Sequence, residues 1–446
     1  MQKLQHYSIG IIILLYLFVG TLYAVYTPRW QAPDEPAHYN YVRQLAAGDF
    51  PIIETGDWDQ DYLGTVLSSR FDPQYEVESI EYEDWQPPLY YLLQTPVFWL
   101  TGGSLTAMRL FSILLGAGAI YLAYATVRKL FPEQWWVAAT TAVFIAFLPQ
   151  HLTMLASVNN DSLAELLIAA ILFVLVGLLE IGDWKVESAR RRLVLLGVLL
   201  GLGFLTKAFV YLMAPVIVLV LLWRYRTHFA AIWQPGILVF APAMLLGAIW
   251  WVRNVVVYGG IDVMATAAHD SVVVGQPRTA EWVAQFGLDG TLQRFFQTTF
   301  NSFWGQFGWM AVPMPQWVYR PLLLLTGLVV IGLLVYWFIG LLGDSKSTHP
   351  QSPISNLPTL LLIPTFLLTL GLYLGYNLTF VQHQGRYLFP ALIPIGVGVA
   401  LGLSVWIRPF ANRWPILYRL IPLGLGLALY ALDLFALFRF IIPNLS

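Results

Sequence analysis

An all-α polytopic membrane protein with about eleven transmembrane helices is predicted from three observations. Of the 446 residues, 58% are apolar. Only 11% are charged, where a soluble chain carries about a quarter. Uncharged runs long enough to cross about 30 Å of hydrocarbon recur from one end of the sequence to the other. A water-facing surface is therefore excluded for most of the chain. The absence of cysteine further excludes disulfides, thiolate metal sites and cysteine nucleophiles. A net charge of −1 conceals an uneven distribution of charge along the chain.

The first run lies between Lys3 and Arg29. It has a basic flank and is too long for the apolar part of a signal peptide, so it is read as an uncleaved helix over 7–26. Segment 27–86 follows with thirteen Asp and Glu against Arg29, Arg43 and Arg70. Anionic headgroups repel such a segment, nucleic acid does not attract it, and translocation to the outer face suits it. Within it, Pro36 to Ala47 carries Val42, Leu45 and Ala46 on one side and Asn40, Arg43 and Gln44 on another, with Gly48 placed to end the helix. This reads as an amphipathic helix on the membrane surface. Leu89 to Leu100 is apolar but short, contains Pro96 and follows Pro87-Pro88, which predicts a re-entrant or interfacial segment. The first extracytoplasmic loop, 27–109, thus contains interfacial helices.

Further spans are predicted near 110–127, 135–151, 162–180, 235–252, 321–342, 357–376, 387–407 and 420–441. The stretch 193–223 is too long for one pass and suits two short ones turning at Lys207, whose ammonium snorkels to the interface. A second long outer loop, 253–320, is rich in aromatics, and a polar Ser- and Pro-rich inner loop covers 343–356. With a cytoplasmic N-terminus, eleven passes place Arg128-Lys129, Lys185, Arg190 to Arg192, Arg224, Arg226, Lys346, Arg408, Arg413 and Arg419 inside. Counting 89–100 as a full pass would put them outside, against the positive-inside rule. The C-terminus is then extracytoplasmic.

The candidate chemistry lies at the outer face. In Ala32-Pro33-Asp34-Glu35-Pro36-Ala37-His38-Tyr39, two adjacent carboxylates follow the first helix, where either could serve as a general base on a hydroxyl. Capping of the surface helix is the plain alternative. Ser157-Val158-Asn159-Asn160-Asp161, with Glu165 one turn on, opens another helix on the same face two passes later, and it too could be an ordinary helix start. Arg109, Lys207, Arg253 and Arg386 lie at outer helix ends. Each suits an interfacial anchor, and if they converged they would form a phosphate clamp. His38, Asn160 and His383 join them as candidate substrate-binding residues. The run Ser302 to Trp309 fits a membrane-interface aromatic belt better than a sugar-stacking platform. No metal or nucleotide fingerprint occurs in a supporting context. The outer acids could still hold a divalent cation through oxygen, without the spacing of a calcium loop.

Taken in order, several elements resemble the GT-C superfamily of integral-membrane glycosyltransferases, in the branch of protein O-mannosyltransferases and lipid A aminoarabinose transferases. They are Asp34-Glu35, Pro87-Pro88-Leu89-Tyr90, Met108-Arg109-Leu110-Phe111-Ser112, Asp161, and Gly201-Leu202-Gly203-Phe204-Leu205-Thr206-Lys207. Together they cover about the first half of the chain. Trp250-Trp251-Val252-Arg253-Asn254, Ser302 to Trp309 and Gly385-Arg386-Tyr387-Leu388-Phe389-Pro390 resemble bacterial membrane proteins of the same superfamily. The resemblance implies an eleven-helix topology and a sugar taken from a polyprenyl monophosphate at the extracytoplasmic face. It also implies that Asp34 or Glu35 is the catalytic acid and Asp161 the second acid. Two departures stand out. No large soluble domain follows the helices, unlike protein mannosyltransferases, so this feature does not support a protein acceptor, and Asn159-Asn160 is unusual beside the second acid.

The expected function is transfer of a sugar from a polyprenyl phosphate to an acceptor hydroxyl, with inversion. The partners are the lipid-linked donor, a glycan, lipid or protein acceptor, and membrane lipid. A prokaryotic plasma membrane is the expected location. The rival readings are a transporter or flippase of lipid-linked glycans and a ligase or polymerase acting on polyprenyl diphosphates. The conspicuous charges sit at helix ends and not at the bilayer midplane, which disfavours transport.

Overall fold

The computed structural model describes the whole chain except Met1, Gly182, residues 343–356 and Asn412. The polar inner loop expected at 343–356, with Lys346, lies outside the described residues. In chain order the helices are α1 Gln2–Tyr26, α2 Glu35–Ala47, α3 Gln60–Ser68, α4 Leu89–Thr101, α5 Leu105–Leu130, α6 Trp135–Ala146, α7 Pro149–Leu155, α8 Asp161–Leu179 and α9 Glu187–Phe204. There follow α10 Met213–Arg224, α11 Trp233–Tyr258, α12 Thr266–Val272, α13 Thr279–Trp304, α14 Gln316–Leu342, α15 Leu357–Thr379, α16 Leu392–Ala411, α17 Leu417–Ala436 and α18 Ile442–Leu445. The strands β1 Gln306–Phe307 and β2 Val312–Pro313 pair antiparallel.

Among the described residues, eight helices are long and apolar enough to cross a membrane, and nine if the bent pair α6–α7 is one span. The protein is an integral membrane protein. Each predicted run holds a helix, but the count by length and composition falls short of eleven. Glu187 and Arg190 to Arg192 charge the start of α9, and the apolar helix Ala208–Arg224 is short. The predicted pass at 135–151 is broken. α6 and α7 meet at 65°, because Pro149 cannot continue the hydrogen-bond ladder and disfavours helix in the residue before it.

α5 is central, packed on α1, α6 and α8, while α9 bridges α8 and α11, and α16 lies on α6 and α14. Where α14 crosses α16, a Cβ on Gly332 would fall against the Gly402 carbonyl. Small residues there allow the close backbone approach that holds helices together in lipid. A second apolar core lies above the bundle, where Trp30, Tyr41, Val42, Tyr82, Tyr90 and Tyr91 join the loop segments to the upper ends of α5 and α8. The predicted amphipathic helix is α2, ended by Gly48 at φ 99°. It packs on α4, and Tyr41 and Val42 are buried within this cap. At 13 residues α4 is too short to cross, and it exposes Leu92, Leu93, Trp99 and Leu100.

Candidate active site

The cap and the outer helix ends enclose a cavity of about 630 Å³ lined by Asp34, His38, Asp161, Lys207 and Arg386 among others. Asp34 reaches it through an unusual backbone. Its φ is 68°, and its side chain makes no capping bond to α2. An Asp tolerates the left-handed region better than most residues, at a cost of order 1–3 kcal/mol. In return the carboxylate turns away from the helix start. Oδ2 accepts from Arg386 Nη2 at 2.8 Å and Oδ1 from the Tyr82 hydroxyl at 2.8 Å. The capping alternative therefore does not describe Asp34. Burial raises its pKa, but the charge of Arg386, with His38 and the two hydrogen bonds, outweighs this and holds the carboxyl below its ordinary value. It is ionised at neutral pH.

The neighbouring acid has a different environment. Glu35 is fully buried and forms a two-point pair with Arg109, 2.7 Å to Nε and 2.6 Å to Nη2. Arg109 also donates to the carbonyls of Ala24, Thr27 and Pro28, while Val158 N–H donates to Glu35. The pair thus closes the end of α1 and ties it to α2, α5 and the turn before α8. Neither residue lines the cavity.

The unusual Asn159-Asn160 pair has a structural role. Asn159 Oδ1 accepts from Asp161 N–H at 2.9 Å, closing the turn before α8. Asn160 is buried and donates toward Gln86, Tyr91 and the Thr206 carbonyl. With these bonds made by its neighbours, the Asp161 carboxylate is left to face the cavity, 2.5 Å from Lys207 Nζ. Lys207 begins the turn between α9 and α10, as the sequence predicted. Arg386 lies on the short 3₁₀ helix Gly385–Ala391, anchored to α13 by Gly385 N–H donating to Ser302 Oγ at 2.8 Å.

His38 lines the same cavity beside Tyr91, with Nδ1 2.8 Å from the hydroxyl. Burial, then Lys207, lowers it to about 3, so it is neutral. The structure leaves the remaining candidates outside. Arg253 stacks on Trp250 at 4.8 Å and on Phe50 and Tyr258, while His383 sits between the rings of Trp282 and Phe295, and neither lines the cavity. Within the aromatic run, Trp304 and Phe307 are buried in the bundle, and Trp309 lines the cavity.

Sequence reasoning missed Tyr82, Glu83, Trp58 and Trp85, all on the cavity wall. The dense run Glu81-Tyr82-Glu83-Asp84-Trp85 just before Pro87-Pro88 was the available signal. Burial pushes Glu83 up to about 8, with Asp34 adding to the effect. Also unforeseen is His151, buried with Nε2 2.6 Å from Glu165 on the cavity floor and Nδ1 2.7 Å from the Ile145 carbonyl. Among the described residues, no three His, Asp or Glu side chains gather as a metal site.

The profile of the dolichyl-phosphate-mannose-protein mannosyltransferase family matches residues 85–251. The fold matches ArnT from Cupriavidus metallidurans in its apo state (TM-score 0.53, 16% identity, 98% of this chain and 73% of that one). ArnT bound to undecaprenyl phosphate matches with a TM-score of 0.50 at 15% identity, over the same shares of the two chains. The oligosaccharyltransferase AglB from Archaeoglobus fulgidus, in complex with an inhibitory peptide and a dolichol-phosphate, matches at 0.50 and 13% identity, over 99% of this chain and 56% of that one. No curated protein matches. The chain shares the fold of ArnT and AglB.

Proposed function

We propose that this protein transfers a sugar from a polyprenyl-phosphate donor to an acceptor hydroxyl at the extracytoplasmic face, with Asp34 as general base. The observation that carries the reading is the placement of Asp34. Backbone strain and Arg386, 352 residues away in sequence, hold an ionised carboxylate in the one cavity that also receives Asp161 and Lys207.

The donor phosphate takes over Arg386, whose Nε has no partner, and draws on Lys207. Loss of its cation makes the Asp34 carboxylate more basic. It then removes the proton from the acceptor hydroxyl as that oxygen attacks the anomeric carbon from the face opposite the phosphate. The C–O bond to phosphate breaks, the electron pair leaves with polyprenyl phosphate, and the configuration inverts. Arg386 and Lys207 stabilise the charge growing on the leaving oxygen. Asp161 orients the acceptor through Lys207. Glu35 and Arg109 hold the loop that aims Asp34. The eleven-pass topology belongs to the same reading: α9 and Ala208–Arg224 complete the set, the N-terminus is cytoplasmic and the membrane is the plasma membrane.

The test is purified protein in liposomes with radiolabelled polyprenyl-phosphate sugar. Label should pass to an acceptor or to water, and Asp34→Asn should slow this by about 10²–10⁴-fold. Wild-type turnover by that variant sinks the assignment. Turnover of a diphosphate donor alone favours the ligase reading, and transport without transfer the flippase reading.

A further inference from the structure

The reaction above gives no part to His151 and Glu165, a buried pair of titratable side chains beneath the cavity. The bend between α6 and α7 explains the first of their contacts. Pro149 has no N–H, so the Ile145 carbonyl four residues earlier loses the partner that a continuous helix would supply. His151 Nδ1 lies 2.7 Å from that carbonyl and must carry a hydrogen to meet it. Nε2 is thereby turned toward Glu165 Oε2 at 2.6 Å, with the two side chains only 1% and 9% exposed. One proton lies between them, held as imidazolium and carboxylate or as imidazole and carboxylic acid.

This contact joins two parts of the site. On one side is α7, buried along its whole length. The His151 ring stands edge-on to Phe389 at 5.1 Å, and the Met154 sulfur lies 3.9 Å from Arg386 Nη1. Phe389 and Arg386 belong to the same short helix, Gly385–Ala391, so α7 is its seat. Gln150 Oε1 accepts from Gln306 N–H at 2.8 Å and ties α7 to β1. On the other side is α8, where Glu165 stands one turn after Asp161, the partner of Lys207. The arm that carries Arg386 and the arm that meets Lys207 are thus joined by a hydrogen bond in a dry interior, where low dielectric strengthens it. A brace for the bend alone needs the Ile145 carbonyl capped. It does not need a carboxyl placed a turn inside an apolar helix, which is costly in a membrane.

We propose that His151 is a positioning residue for phosphate binding: by bridging Ile145 and Glu165 it fixes the seat of Arg386 relative to Lys207, and so the spacing of the two cations. The proposal rests on the transferase reading above for the phosphate role of those cations. Both act on a single phosphate only at a spacing matched to its oxygens, and a shift of about 1 Å in such a group costs up to about 10²-fold. His151 touches neither substrate nor cavity and acts through Arg386.

Binding of polyprenyl phosphate without sugar to the full protein in nanodiscs tests this apart from catalysis. His151→Asn keeps an N–H for the Ile145 carbonyl and gives up Glu165, while Glu165→Ala gives up the same contact from the other side. Each should weaken binding by about tenfold or more, and the thermal midpoint reports an intact fold. Either variant decides the point if the other fails to fold. Glu165→Gln, whose amide donates to a neutral imidazole, should restore most of the affinity lost in Glu165→Ala. Arg386→Gln should weaken binding by itself and leave His151→Asn without further effect, since the side chain being positioned is gone. Additive losses in that double variant overturn the proposal, as does unchanged affinity in folded His151→Asn or Glu165→Ala, and the pair is then a brace for the bend. A loss in Arg386→Gln with none in His151→Asn removes this proposal alone. No loss in Arg386→Gln removes the phosphate role of Arg386, and the transferase mechanism with it.

Discussion

Replacing Glu35 by alanine separates two adjacent carboxylates that sequence could not tell apart. The structure gives Glu35 two short bonds to Arg109 and one from Val158 N–H, all buried. Removing one partner of such a pair costs about 3–5 kcal/mol, because the other charge stays behind in a dry site. Arg109 would keep the carbonyls of Ala24, Thr27 and Pro28. That places the loss near the lower bound, about 3 kcal/mol, or on the order of 10²-fold in the folding equilibrium. Reversible unfolding in mixed micelles should show it, together with a fall of several degrees in the thermal midpoint. Turnover per folded molecule in liposomes should drop far less than in Asp34→Asn. Asp34→Asn should lose less stability, since the amide oxygen still accepts from Arg386 and the Tyr82 hydroxyl can turn to accept from the amide NH2. A Glu35→Ala protein of wild-type stability and no transfer would refute this division of roles.

Arg386→Gln should raise KM for the donor and cut transfer by about 10²–10³-fold, as expected for a lost oxyanion-stabilising group; unchanged donor kinetics would contradict the phosphate role. Arg253→Ala should leave transfer intact and cost about 1–2 kcal/mol from its aromatic stack, read by the same unfolding assay. Stability should carry a descending contribution from Glu83 as pH rises from 4.5 to 8. The folded value is about 8 against an ordinary 4.5, so in this window the folded state keeps a proton the unfolded chain has released. Thermal midpoints across that range should fall less steeply in Glu83→Gln, and parallel curves would count against the shift.

Legibility varied with the range of the signal. Asp34, Asp161, Lys207 and Arg386 were readable as charges at helix ends, since a charge beside an apolar run lies at the interface. The same rule could not separate Lys207 from Arg253, or Asp34 from Glu35. Both basic residues terminate outer segments, yet one meets Asp161 and the other an aromatic stack. Glu83 and Trp85 went unread because a crowded acidic loop on a membrane surface ordinarily means solvent, and only the cap folding over the bundle desolvates it.

The sequence alone determined the solvent of this protein, the helical nature of its spans and the ends on which its charges sit. Each depends on the hydropathy of a continuous stretch or on residues within a turn or two. The tertiary structure decided which opposite charges meet. Pairing of Asp34 with Arg386, and of Glu35 with Arg109, depends on helices distant in sequence packing side by side and on one left-handed residue that turns two adjacent carboxylates in different directions.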